Sequence, residues 1–168
     1  MKGKTVIGID GGKSGAIAVA QNGSLDVFKM PATAKDLKTF FTRFDPEETL
    51  IFIEKVSAFV GEDSARKYAI IKMLGQLKEL HTVLQMMEFT FVELAPVTWQ
   101  SRLNLRFKGM EKAQRKTKYF EFAKRYADKT KVLKYAGDSV CILACGLKLL
   151  RESDPLVSDK NLKQTNLF

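Results

Sequence analysis

The stretch KTVIGIDGGKSGAIAV, Lys4 to Val19, decides the fold. Its apolar run from Val6 reads as a buried strand ending in one carboxylate, Asp10, and GGKSG then turns the chain into a second apolar run, Ala16 to Ala20. That pattern predicts a hairpin. Leu25 to Met30, entered through Asn22-Gly23, adds a third antiparallel strand. A buried carboxylate without a partner costs several kcal/mol, so Asp10 needs a counter-charge, a water cluster or a metal ion.

Downstream, Thr33-Ala34-Lys35-Asp36 has the form of a capping box, and Leu37, Phe40, Phe41 and Phe44 follow at the spacing of a short amphipathic helix. Asp45-Pro46 stops it. Leu50 to Ile53 is a second buried run that ends in a carboxylate, Glu54, and a strand reached through a helical crossover is most simply parallel to an earlier one. Ser64 to about Met87 reads as a long helix, with Ile70, Leu74, Leu77 and Leu84 on one stripe and Leu80, Val83 and Met87 widening it. Such a helix has apolar surface for a core and for a second subunit. Phe89 to Leu94 is a further strand, closed by Ala95-Pro96. A helix follows Gly109 to about Asp128, with Met110, Ala113, Thr117, Phe120, Ala123 and Ala127 inside and Arg115, Lys118, Arg125 and Lys129 outside. The last helix, Asp138 to Arg151, is apolar nearly all round and must be buried. The prediction is an α/β domain over 1–152 with a mixed sheet, three antiparallel strands and then parallel crossovers, followed by a polar tail, 153–168.

At 168 residues and 45% hydrophobic composition the chain can bury a real core, which excludes disorder as its main state. No window of about 18 apolar residues is present and the start carries no signal-peptide block, so a cytoplasmic location is expected. Cys141 and Cys145, four apart on an apolar helix, read as buried thiols, and His81 is the only histidine, so zinc chemistry is excluded. Charge is more informative. Of 28 basic and 19 acidic residues, twelve basic and three acidic fall between Arg102 and Lys134, so the whole excess of +9 sits in that segment and the remainder balances at sixteen of each. A neutral body with one strongly positive face fits a polyanion.

Taken singly, Asp138 reads as a helix cap, Asp10 as a turn residue before Gly11-Gly12, and Glu54 as a partner for Lys55 or a loop amide. Together they form a pattern, because each stands at the boundary of an apolar element where packing needs no charge. If the first and fourth strands are parallel neighbours, Asp10 and Glu54 leave the sheet about 5 Å apart, and their repulsion calls for a cation between them. Hard oxygen ligands without soft ones point to magnesium, or manganese, and beside a basic segment to phosphodiester hydrolysis in nucleic acid by two ions roughly 4 Å apart.

The motifs IGIDGGKSGAIAV, IFIEKV and GDSVCILACGL, with KMLGQL, ELAPVTWQ and GMEKAQ between them in order, make Val6 to Leu150 resemble the RuvC-type Holliday-junction resolvases of the ribonuclease H-like superfamily, particularly their shorter phage-encoded members. GIDGG alone also resembles the first phosphate motif of actin-like kinases and ATPases, which need a second domain that 168 residues do not hold. The resemblance implies a ribonuclease H-like mixed five-stranded sheet flanked by helices, in a homodimeric, magnesium-dependent endonuclease that nicks two strands of branched DNA. It implies Asp10, Glu54 and Asp138 as ligands of two ions and Lys112 as a catalytic lysine, with Phe59 nearest to a phenylalanine that inserts at the junction. Lys13, Arg115, Lys116, Lys118, Arg125 and Lys134 are then DNA-contact candidates, and the helix 64–87 the dimer contact. The sequence departs from the family at Tyr135, where a fourth ligand often stands three residues before the last acid. A catalytically weak or idle branched-DNA-binding protein of the same fold is the alternative, and a nuclease acting on forks and flaps a third reading.

Overall fold

The computed structural model of the chain describes residues 5–12, 14–56, 64–127 and 131–152. Lys13, Phe59 and the tail 153–168 lie outside the described residues. Strands β1 (Thr5–Ile9), β2 (Ala16–Gln21) and β3 (Ser24–Lys29) form the antiparallel opening, and β4 (Thr49–Glu54) and β5 (Thr90–Leu94) complete a sheet of order β3-β2-β1-β4-β5. Both β1 with β4 and β4 with β5 are parallel, as their helical crossovers require. The predicted mixed five-stranded sheet is present.

Side chains alternate across the sheet and bury on both faces. One face carries Ile7, Ile9, Ile17, Ile51, Ile53 and Phe91, packed with Leu37 and Phe41 of α1 (Ala34–Phe41) and Leu77, Leu80 and Leu84 of α2 (Ser64–Met86). The other carries Val6, Ala16, Ala18, Phe52 and Val92, packed with α3 (Pro96–Arg102), α4 (Lys112–Tyr126) and α5 (Gly137–Arg151). Thr33 caps α1 as its sequence predicts: its hydroxyl oxygen accepts the Asp36 N–H at 3.1 Å.

The seven-residue helix α3 was not anticipated: Ala95-Pro96, read as the end of a strand, also begins a helix, because proline suits the first helical position. The inner face of α4 keeps the second half of the predicted stripe and departs from it in the first half. Tyr119, Ala123 and Ala127 are buried while Ala113 and Thr117 are exposed. Tyr119 turns inward and packs edge-on against Trp99 at 4.9 Å between centroids. In α2 the second half buries Leu77, Leu80, Val83 and Leu84, while Tyr68 and Ile71 of the first half remain 72% and 65% exposed. Among the described residues no helix is long and apolar enough to cross a membrane.

The last helix seats directly on the sheet. A side chain at Gly8 would overlap the backbone of Ser139 and Leu143, and one at Gly146 would overlap the Phe52 ring. Two glycines thus let α5 lie closer to β1 and β4 than any larger residue allows. Gly8→Ala should lower stability by about 1–3 kcal/mol through overpacking against backbone that cannot rotate away. Thermal unfolding followed by circular dichroism checks this: a midpoint several degrees lower is expected, and an unchanged midpoint means that α5 is not seated there.

Candidate active site

Ile9 of β1 pairs with Ile53 of β4 in parallel register, so the next residues, Asp10 and Glu54, leave the sheet side by side at the carboxyl ends of both strands. That edge is where open α/β sheets place their ligands. The Asp10 backbone N–H donates to the Ala16 carbonyl at 3.1 Å, which closes the hairpin, and its carboxylate accepts a hydrogen bond from the Gly12 backbone. Glu54 does not take the partners suggested by its neighbours in sequence. Its Oε2 accepts the indole N–H of Trp99 at 2.8 Å.

Asp138 is the second residue of α5, behind a short 3-10 turn, Lys134–Ala136, and the cap position belongs to Ala136, whose methyl group accepts no hydrogen bond. Asp138 is therefore not the helix cap. Only 7% exposed, its carboxylate forms an ion pair with the Lys116 ammonium. The pairing follows from the packing. At Gly137 an added side chain would come within 3.2 Å of the Phe120 backbone, so the start of α5 lies against α4 one turn beyond Lys116.

The three carboxylates share one electrostatic environment. Burial first, then the charge of Asp138, raises Asp10 above the ordinary carboxylate range, against the opposing Lys116 and the Gly12 hydrogen bond. Glu54 is pushed up to about 7, by burial first and then by Asp10 and Asp138, while the Trp99 bond and Lys116 pull the other way. Burial disfavours the Lys116 ammonium, but the charge and hydrogen bond of Asp138, with Asp10 and Glu54 behind it, outweigh this and raise its pKa.

When ionised, three carboxylates against one ammonium leave a formal charge of −2 in a largely buried corner. Hard divalent cations fit that donor set, which is all oxygen, and they would relieve the repulsion that raises Asp10 and Glu54. Among the described residues no three His, Cys, Asp or Glu side chains are arranged to hold one ion as they stand, with Lys116 lying on Asp138.

The basic candidates divide. Lys112 begins α4, exposed, one turn before Lys116 and on the same side of the helix, and it is Lys116 that meets the carboxylates. Lys118 and Arg125 lie on a different side. They line a groove of about 680 Å³ with Phe107, Phe122 and Lys124, and Lys118 is paired with Glu121 at 3.1 Å. Arg115 is half-buried near Tyr119, and Lys134 is exposed beside Tyr135, whose ring faces the Lys29 ammonium at 5.8 Å from its centroid. Sequence reading missed the pairing role of Lys116 and the contact of Trp99 with Glu54. The first was signalled by its spacing of four from Lys112, the second by a lone indole in an apolar segment.

No protein-family model matches the chain, and no curated protein is similar to it in sequence. Solved structures are similar in fold. Thermus thermophilus RuvC in complex with a Holliday junction substrate matches with a TM-score of 0.56 at 14% identity, over 89% of this chain and 96% of that one. The Thermus thermophilus RuvC structure matches with a TM-score of 0.55, also at 14% identity and with the same coverage. The fold is therefore the RuvC-type, ribonuclease H-like arrangement of a mixed five-stranded sheet flanked by helices.

Proposed function

We propose that the chain is a structure-selective endonuclease that resolves Holliday junctions and related branched DNA by metal-dependent phosphodiester hydrolysis, a small resolvase of the phage-encoded kind working in the cytoplasm. The observation that carries the reading is the side-by-side exit of Asp10 and Glu54 from parallel strands, with buried Asp138 over them and one ammonium to balance three charges. Its fold likeness to a protein solved with a Holliday junction, and the basic segment Arg102 to Lys134, support DNA as the substrate.

In this reading Asp10, Glu54 and Asp138 hold two magnesium ions, with manganese able to replace them. Bound there, the ions supply the charge that activates a water and steadies the leaving oxygen of an in-line displacement. Lys116 neutralises Asp138 and, once released from it, reaches a phosphate oxygen. Lys112 stands one turn further out as a second phosphate contact. Arg115 and Lys134 are further phosphate contacts, while Lys118 and Arg125 serve a DNA arm that runs past the other side of α4. Lys13 and Phe59, outside the described residues, keep the DNA-contact roles that the resemblance implies. Two nicks require two sites, and the exposed Tyr68 and Ile71, with Gly75 open to close approach, suit a two-fold contact through α2. Tyr135 in place of a fourth ligand is the feature that favours the idle branched-DNA binder as the second reading.

Asp10→Asn, Glu54→Gln and Asp138→Asn should each reduce cleavage of four-way junction DNA at least a hundredfold in magnesium, with junction binding in gel-shift assays nearly intact. Full cutting by any of the three removes that residue from the site, and intact binding without cutting by the unaltered protein establishes the idle binder. Lys116→Ala should slow single-turnover cutting by tenfold or more, beyond any loss in binding. Lys112→Ala should weaken binding and cutting together; the reverse ranking returns the catalytic role to Lys112.

A pH dependence follows from Glu54. Its folded pKa of about 7 exceeds the ordinary 4.5, so the metal-free fold is favoured below about 4.5 and loses that advantage as pH rises through 7. The loss is on the order of 3 kcal/mol. The metal-free melting temperature should thus fall between pH 5 and pH 8, magnesium should restore it mainly at pH 8, and Glu54→Gln should flatten the profile. A profile that rises with pH in the metal-free protein would contradict the buried, repelled carboxylate.

A further inference from the structure

We infer that Trp99 is a positioning residue for the metal-binding carboxylate Glu54, one that fixes which Glu54 oxygen is free to meet a cation; the inference rests on the metal site proposed above. The indole nitrogen is a donor only and cannot itself ligate an ion. It donates to Glu54 Oε2 at 2.8 Å and so leaves Oε1 without that hydrogen bond, on a carboxylate that feels the charges of Asp10 and Asp138.

Three features hold the ring rigidly in that position. Trp99 is 1% exposed, and its ring meets Tyr119 edge-on at 4.9 Å and 73°. The helix that carries it begins at Pro96, two residues after Leu94, and Leu94 is the register partner of Glu54 across β4 and β5. The Lys55 N–H donates to the Leu94 carbonyl at 2.8 Å, so the backbone that carries the acid and the backbone that delivers the indole are tied together beside the bond. An exposed glutamate samples many rotamers. Glu54, gripped at one oxygen by a buried ring, presents the other with little freedom left to lose when an ion binds.

Trp99 is the only tryptophan in the chain, so its indole N–H gives one resonance that can be read directly. In a 15N-labelled sample that cross-peak should shift with Glu54→Gln and move saturably on magnesium titration, with the same dissociation constant that calorimetry reports. Trp99→Phe, which keeps an aromatic ring and removes the donor, should weaken magnesium binding tenfold or more in calorimetry at unchanged secondary structure. Lys112→Ala should leave magnesium affinity unaltered. If calorimetry shows magnesium binding that Asp10→Asn abolishes, yet the indole peak ignores both magnesium and Glu54→Gln, the positioning role is wrong and the metal site stands. Should the unaltered protein bind no magnesium at all, while its indole peak still responds to Glu54→Gln, the metal site fails and the Trp99–Glu54 bond is only a structural contact. Should Trp99→Phe fail to fold, the cross-peak of the unaltered protein still decides.

Discussion

Like charges forced together at the carboxyl end of a sheet are the constraint around which the structure is arranged. Asp10 and Glu54 emerge from adjacent parallel strands at the same level, and neither can retreat, because the residues before them lie in the middle of the core. Their repulsion is held in check by a fold that is rigid where they stand: a hairpin closed through Asp10, a strand pair tied at Lys55, and a helix seated on Gly8. Asp138 adds a third negative group, and one ammonium answers all three. A site of this kind stores a demand for positive charge, which hard divalent cations meet better than a single lysine.

The glycines and small residues of the α5 side set how near the third acid comes. Gly8 and Gly146 lower the helix onto the sheet, and Gly137 docks its first turn on α4. The same docking carries Lys116 to Asp138, so the neutralising cation and the last acid are positioned by one packing contact. The carboxylates stand at the sheet edge, and the cations of α4 divide between Lys116, which meets Asp138, and a groove lined by Lys118, Lys124 and Arg125.

Much of this was legible in the sequence, and the reason is physical. Strands buried on both faces read as continuous apolar runs, so a carboxylate ending such a run is conspicuous, and two of them after a helical crossover fix the parallel pair and its edge. The buried last helix was legible because it lacks a polar face. What escaped depends on rotation and short range. The predicted inner face of α4 left out Tyr119 and placed Thr117 there instead, and the pairing of Lys116 with Asp138 went unread with it. Helix α3 escaped because proline after a strand marks both a stop and a start, and with it went the indole bond to Glu54, a contact between residues 45 apart in the chain.

The central claim is that Asp10, Glu54 and Asp138 converge to bind hard cations. Its most direct test is a crystal structure of the protein soaked in manganese, with the ions located by anomalous scattering. Anomalous peaks are expected within about 2.3 Å of oxygens from all three carboxylates, with Lys116 displaced from Asp138. Peaks elsewhere on the surface, or a saturated crystal in which Lys116 still covers Asp138 and the three acids hold no ion, would contradict it.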